Sequence, residues 1–561
     1  MKLRSLCHPT AFSDAVLLTA LLAVGGFHEI VSCLLAAALL VRLIVLTTRK
    51  KQFALYLNLT TVAVTVIVLG YGLSCLWAFD KGIAPLGFIK FLPLLLFLLE
   101  RMQAETDSQH WRTVVPMAAA GITIVSSVGS LIPALSAHFT VAGRLAGFFQ
   151  YPNTFALFLL VSALLILAGG RTRWYDLMNL AVLVFGILYT GSRTVFVLTV
   201  VAVTAMLLLV GNKRTRLLIG GGALGVIAVV AVAALLLGER FEAFTRFLTI
   251  SLSESTFVGR FLYFQDALPV IAKHPFGLGF WGYYFTQQSF QTGLYAVRYI
   301  HNDFLQLLLD IGWLPCLLFI AAMGQNVFSK RVALTDKVIL LTICAHALFD
   351  FDLQFIGVFL LLLLLTDFRS GKRLDLRSSK PLTVSVAGLL TALCLFFGIE
   401  QTLYLSGSNE AAHTLYPYDT INETVRLQTA EPAEADRIAD RILSHNDHLV
   451  LAHSAKARYA YSRGDLAQAM QHKRRIFQLA PYAYAEYEEY AYMLIYSISL
   501  YQQAGDSESA AACYRELADL PAQLRTAEHK MSDLGRKIDD QPNFTLPQDI
   551  LYYIERMESQ Q

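Results

Sequence analysis

Y-I-H-N-D-F-L-Q-L-L-L-D-I-G-W-L-P, residues 299–315, sets polar side chains at the mouth of an apolar helix. His301 and Asn302 precede the apolar run, and Asp303, Gln306 and Asp310 recur inside it at i, i+3 and i+7. That spacing places the three on one stripe of a helix. An Asp facing lipid at mid-membrane costs roughly 2.5–3.5 kcal/mol. The stripe is therefore expected to line a cavity or to pack against neighbouring helices, and the residues leave both open.

The rest of the chain makes the membrane reading general. Of 561 residues, 55% are hydrophobic and only 16% charged, which excludes an ordinary soluble globular protein. The net charge of +3 gives no ground for a nucleic-acid partner. Cys33, Cys75, Cys316, Cys344 and Cys394 sit in apolar runs, Cys7 is near the start and Cys513 lies in a polar tail. No disulfide framework or metal-ligand spacing results.

Apolar runs long enough to cross a bilayer fall near 11–27, 28–48, 53–76, 83–99, 113–132, 153–170, 175–190, 194–211, 217–238, 304–323, 337–350, 353–367 and 381–400. The fold class expected is all-α: a polytopic membrane helix bundle of about 12–14 spans, followed by a soluble, all-helical, repeat-like domain. Lys2 and Arg4 precede the first run, which reads as an anchor. With the N-terminus cytoplasmic, Arg49-Lys50-Lys51, Arg171 with Arg173, Lys213-Arg214 with Arg216, Lys330-Arg331 and the 369–380 cluster all fall inside. Lys81, Arg144 and Arg193 are then isolated cations on the outer side, where the insertion rule disfavours them. The same alternation puts loop 239–303 and everything after about residue 400 outside. The domains expected are 1–404, a transmembrane body carrying that loop, and 405–561, an extracytoplasmic helical domain.

In the tail, Gly464, Ala469 and Pro481, then Gly505, Ala510 and Pro521, fall at the offsets of a 34-residue helix-turn-helix repeat. The expectation is a tetratricopeptide-like domain. The tyrosines of 482–496 serve either to stack on sugar rings or as the core of the repeats.

His301-Asn302, Leu305-Gln306, Asp310 and Gly312 resemble the H-N-x-x-L-Q-x-x-x-[DE]-x-G signature of the O-antigen ligase, O-antigen polymerase and bacterial O-oligosaccharyltransferase superfamily. In the family's order, Gln150-Tyr151-Pro152-Asn153, Thr190-Gly191-Ser192-Arg193-Thr194, and Gly259-Arg260 ahead of His274-Pro275-Phe276-Gly277-Leu278-Gly279 resemble its Q-x-P-N, G-S-R-T and G-R…H-P-x-G-x-G elements. Trp313 and Pro315 depart from the smaller residues of many members. The resemblance spans about residues 50–370 and implies a bacterial inner-membrane glycosyltransferase. Such an enzyme moves a whole glycan from polyprenyl (undecaprenyl) pyrophosphate to an acceptor hydroxyl outside the cytoplasm, without a cofactor. Its partners are the lipid-linked donor, a glycan, lipid or protein acceptor, and membrane lipids.

On that reading Arg193, Arg260 and Arg144 grip the pyrophosphate, since guanidinium binds phosphate oxygens bidentately and stays charged. His301 takes the acceptor proton, and Asn302, Gln306 and Asp310 support the pocket. Lys90, seven residues into its span, either joins the phosphate pocket or snorkels to head groups. Asp350 and Asp352, in a D-F-D turn, offer a thin ligand set for a divalent ion as a competing mechanism. A polymerase shares the signature. A transporter is disfavoured by the lack of paired broken helices in matching halves. A scaffold recruiting envelope proteins through the tail would not need the Arg residues or His301.

Overall fold

The computed structural model describes residues 10–49, 52–104, 109–170, 173–210, 255–377 and 380–559. The expected span near 217–238, the first part of loop 239–303, and Lys2, Arg4, Cys7, Lys50, Lys51, Arg171 and the 213–216 cations lie outside these. The chain divides into two compact units. The first comprises Met1–Leu73, Leu86–Ser251 and His301–Thr402; the second comprises Ser74–Pro85, Leu252–Ile300 and Leu403–Gln561.

The first unit is a helical bundle. Glu29–Arg49, Trp111–Ser130, Arg193–Val210 and Lys380–Leu405 are long and apolar enough to cross a membrane, and shorter apolar helices such as Pro152–Ala168 and Trp174–Thr190 accompany them. Apolar residues all round a helix call for burial on every side. Pro152–Ala168 has that composition and sits at the bundle centre, with 14 of its 17 residues buried. Ile356–Leu364, a nine-residue helix in the run expected at 353–367, is buried along its whole length. Lys380–Leu405 lies at the periphery with few buried positions, as a lipid-facing helix does.

Two expected spans differ in detail. The run at 53–76 opens as a strand: Gln52–Leu57 pairs antiparallel with Lys372–Arg377, from Gln52 opposite Arg377 to Leu57 opposite Lys372, and the helix starts only at Leu59. Phe53-Ala54-Leu55-Tyr56-Leu57 is apolar throughout and carries no period-2 alternation, so the strand is set by its partner at 372–377. This pair brings Arg49, Arg369, Lys372, Arg373 and Arg377 to one end of the unit. The run at 304–323 is broken into Asp303–Ile311 and Trp313–Phe328 at Gly312. Gly312 has φ 84°, a conformation open to glycine at little cost, and its N–H still reaches the Leu307 and Leu308 carbonyls at 3.2 and 3.1 Å.

The second unit is helical apart from its loops. Val450–Ser462 with Leu466–Leu479, and Tyr484–Gln503 with Ser507–His529, form two hairpins whose turns hold Gly464 and Gly505. The aspartate after each glycine caps the next helix: Asp465 accepts from Gln468 N, Asp506 from Ser509 N, both at 3.0 Å. Pro481 follows the end of Leu466–Leu479, whereas Pro521, at the matching repeat offset, lies inside Ser507–His529. The helix continues because Leu517, Leu520 and Leu524 bury one face through the proline. Tyr482, Tyr487 and Tyr490 belong to the buried core, while Tyr492 and Tyr496 are exposed.

Two connecting segments are stapled to this helical body. Asp80 accepts from Thr420 Oγ1 at 2.5 Å, from Asn446 Nδ2 at 2.7 Å and from Ile83 N at 2.8 Å. The Ser532 N–H reaches the Thr292 carbonyl at 3.0 Å, and Asp266 accepts from the Thr292 N–H at 2.8 Å.

Candidate functional site

The helices Pro152–Ala168, Arg193–Val210, Asp303–Ile311 and Ile356–Leu364 all begin at one end of the first unit. Each start is built by its sequence. Pro152 takes the first helical position, where its missing N–H costs nothing. Asn302 caps Asp303–Ile311, its Oδ1 accepting from Phe304 N and Leu305 N, both at 3.0 Å. Gly191 turns the chain in a left-handed conformation ahead of Arg193. Four helix N-termini give this end a positive bias suited to an anion.

A hydrogen-bonded chain joins them. Arg144 donates from Nε to the Thr190 carbonyl at 2.8 Å and from Nη2 to Asn153 Oδ1 at 2.6 Å. Asn153 Nδ2 donates to Asp350 Oδ2 at 2.8 Å, and the Tyr151 hydroxyl donates to Asp350 Oδ1 at 2.8 Å. His301 Nδ1 stands 3.2 Å from the same Oδ1. Asp350 is 1% exposed on its side chain and His301 20%, so the carboxylate is internal and the imidazole opens to the surface. His301 has φ 57°, sparsely populated for a non-glycine residue, and its ring packs edge-on against Phe351 at 5.0 Å. The aromatic wall continues through Tyr151, 4.6 Å from Phe351 between ring centroids.

The polar stripe packs against partners. Gln306 Nε2 donates to Asp310 Oδ1 at 2.8 Å, and the Tyr71 hydroxyl donates to Asp310 Oδ2 at 2.8 Å. Asp303 Oδ2 accepts from Leu353 N at 2.8 Å, tying the start of its helix to the 350–355 turn. Gln306 and Asp310 thus act one layer behind the opening. Lys90 is fully buried, donating to the Phe27 carbonyl at 2.9 Å and pairing with Glu29 Oε1 at 3.1 Å. Its ammonium also lies 4.9 Å from the Phe27 ring centroid. The D-F-D carboxylates diverge: Asp352 pairs with His346 Nδ1 at 2.6 Å and accepts from Thr154 Oγ1 at 2.8 Å, while Asp350 serves His301.

Arg193 is half-buried and starts its helix three residues after Thr190, whose carbonyl Arg144 holds. Arg260 is half-buried on Ser255–Lys273 of the second unit. Sequence reasoning gave no role beside His301 to Asp350, Tyr151 or Asn153. Their signals were present, an acidic pair in an apolar context and the Q-Y-P-N element, but no local pattern says that the two meet.

Residues 178–320 match the family model described as O-Antigen ligase. Arg193, Arg260 and His301 fall within the matched residues. No curated protein and no solved structure matches the chain. The match, together with the apolar helices, supports a membrane enzyme of the O-antigen ligase or polymerase type.

Proposed function

We propose that the chain transfers a glycan en bloc from polyprenyl (undecaprenyl) pyrophosphate to an acceptor hydroxyl on the extracytoplasmic side of a bacterial inner membrane. The observation that carries this reading is the contact of His301 Nδ1 with the internal carboxylate of Asp350. A proton on Nδ1, held by that carboxylate, makes Nε2 the basic nitrogen. The acceptor oxygen attacks the anomeric carbon as its proton passes to Nε2. The bond from that carbon to the pyrophosphate oxygen breaks with its electron pair, and the anomeric centre inverts. Arg144 and Arg193, with the four helix N-termini, hold the pyrophosphate and stabilise its growing charge, and the resemblance of Gly259-Arg260 to the family's G-R element assigns Arg260 to the same phosphate role.

Two features support the orientation. The strand pair gathers basic residues at the end of the first unit away from His301, in keeping with the positive-inside rule. Segments 74–85 and 255–300 fold into one body with the tail, as they would if all three lay outside. The tail, a tetratricopeptide-like domain on this reading, selects the acceptor, and residues 1–404 perform the chemistry.

The test is single-turnover transfer by the purified full chain from lipid-linked glycan to candidate acceptors. His301→Ala is expected to bind donor and leave it unreacted, a loss of roughly 10² to 10⁴ in rate. Near-normal transfer by that variant would remove His301 as the base.

A further inference from the structure

The first unit holds a second opening, at the end away from His301. Pro152–Ala168 starts beside Tyr151 at the first site, and its far end, Leu165 to Gly169, borders an open cleft of about 1170 Å³. Along Trp111–Ser130 the cleft is lined from Thr113 through Met117 and Gly121 to Ile124. The eleven steps from Thr113 to Ile124 rise roughly 16 Å at about 1.5 Å each. That is about half of a hydrocarbon core ~30 Å thick, hence the depth of one leaflet. A Cβ added at Gly121 would meet nothing within 4 Å, so the slot is open at that depth. Met117 and Ile124, 59% and 52% exposed, give it apolar walls.

The mouth of the slot is charged in both signs. Arg112, Arg173 and Arg331 stand there with Asp176, Asp336 and Asp367. Arg112 and Asp336 hold each other through two bonds of 2.8 and 2.7 Å, and Asp176 Oδ2 accepts from the Arg173 N–H at 3.3 Å at the start of its helix. The Arg331 side chain is 70% exposed and 3.9 Å from Asp367, a loose pair. Arg173 is exposed, and its side chain contacts the Tyr175 hydroxyl. Trp174, 72% exposed, and Tyr175 stand next to the mouth, as aromatic residues do at head-group level.

We propose that this cleft binds a glycerophospholipid whose head group carries a phosphate and a primary ammonium, with one acyl chain in the slot. The phosphate is received by Arg331 and Arg173, and the ammonium by Asp176 and Asp367. A glycerol head group brings no cation to the two aspartates. A choline head group has no N–H to donate to them.

The experiment is native mass spectrometry of the purified full-length protein, titrated with phosphatidylethanolamine, phosphatidylglycerol and phosphatidylcholine of the same acyl chains. Phosphatidylethanolamine is expected to bind about tenfold more tightly than the other two, the effect of one well-made polar contact. Gly121→Leu, which fills the slot, is expected to weaken it about tenfold, with the thermal transition in detergent unchanged. Arg331→Gln, on an exposed side chain, should weaken it without touching the slot, and Asp176→Asn should narrow its margin over phosphatidylglycerol. Equal binding of the three lipids by the unaltered protein, or unchanged phosphatidylethanolamine binding in a folded Gly121→Leu or Arg331→Gln protein, overturns the proposal.

Discussion

His301 Nδ1 lies 3.2 Å from Asp350 Oδ1, a contact between residues 49 positions apart in the chain. If that carboxylate fixes the imidazole tautomer, Asp350→Asn keeps the shape and loses the function. An amide can present N–H to the ring and move its proton to Nε2, where no base then remains. Turnover is expected to fall by roughly 10² to 10⁴, with donor affinity preserved. Tyr151→Phe, which removes one donor to the same carboxylate and leaves its charge, should cost much less. Single-turnover rates beside donor-binding isotherms separate the two, and equal losses in both variants would make Asp350 merely a packing residue.

The arginines are expected to lose a different quantity. A phosphate partner acts in the bound state and in the transition state, so Arg193→Ala and Arg260→Ala should lower donor affinity and turnover together. A charge-assisted hydrogen bond of about 1.5–3 kcal/mol corresponds to roughly ten- to a hundredfold in affinity. Arg144→Lys should also be impaired, since one ammonium cannot replace a fork that spans the Thr190 carbonyl and Asn153 Oδ1. An arginine whose replacement leaves donor affinity unchanged does not belong to the pyrophosphate site.

Lys90 and Glu29 form a buried pair at 3.1 Å, and its removal should be read as stability. Lys90→Met leaves the Glu29 carboxylate without its cation, at a cost of about 3–5 kcal/mol. Lys90→Met combined with Glu29→Gln should recover most of that loss, because neither charge is then stranded. Thermal unfolding in detergent of the unaltered protein, Lys90→Met, Glu29→Gln and the double variant is the measurement. If Lys90→Met weakens donor binding with no change in the transition, Lys90 serves the phosphate pocket instead.

The helices were legible because lipid demands long apolar runs, and every expected span on described residues contains one. What escaped was set by partners distant in sequence. Residues 53–57 read as apolar and therefore helical, yet their ladder is supplied by 372–377, some 320 positions on. The break at Gly312 shows in a backbone angle, while the apolar pattern runs straight through it. At the site, His301 was legible from its signature and its chemistry. Asp350 was visible only as half of an acidic pair, and the structure divides that pair between two histidines. Lys90 drew attention as a cation seven residues into an apolar span, but its neutralising Glu29 lies 61 positions earlier, beyond any helical spacing.

In the tail, His453 and His472 face each other across the first hairpin, Nδ1 to Nδ1 at 3.0 Å. His453 Nε2 also bonds to the Asp447 carbonyl at 3.0 Å, so its neutral form places the proton on Nε2 and accepts at Nδ1. Arg475, His448, Lys456, Asp436 and Asp440 act on the pair from the surrounding elements. Burial lowers both imidazoles below their free value of 6.5, helped for His472 by the charge of His453. The unfolded chain therefore binds more protons than the folded one, and this contribution to stability is present above about pH 6.5 and lost as the pH falls below it. The thermal transition of the tail should drop between pH 7.5 and pH 5.5. His472→Gln, which retains a polar partner for His453 and removes one proton site, should reduce that drop. An unaltered pH dependence in His472→Gln would show that the acid sensitivity of the tail arises elsewhere.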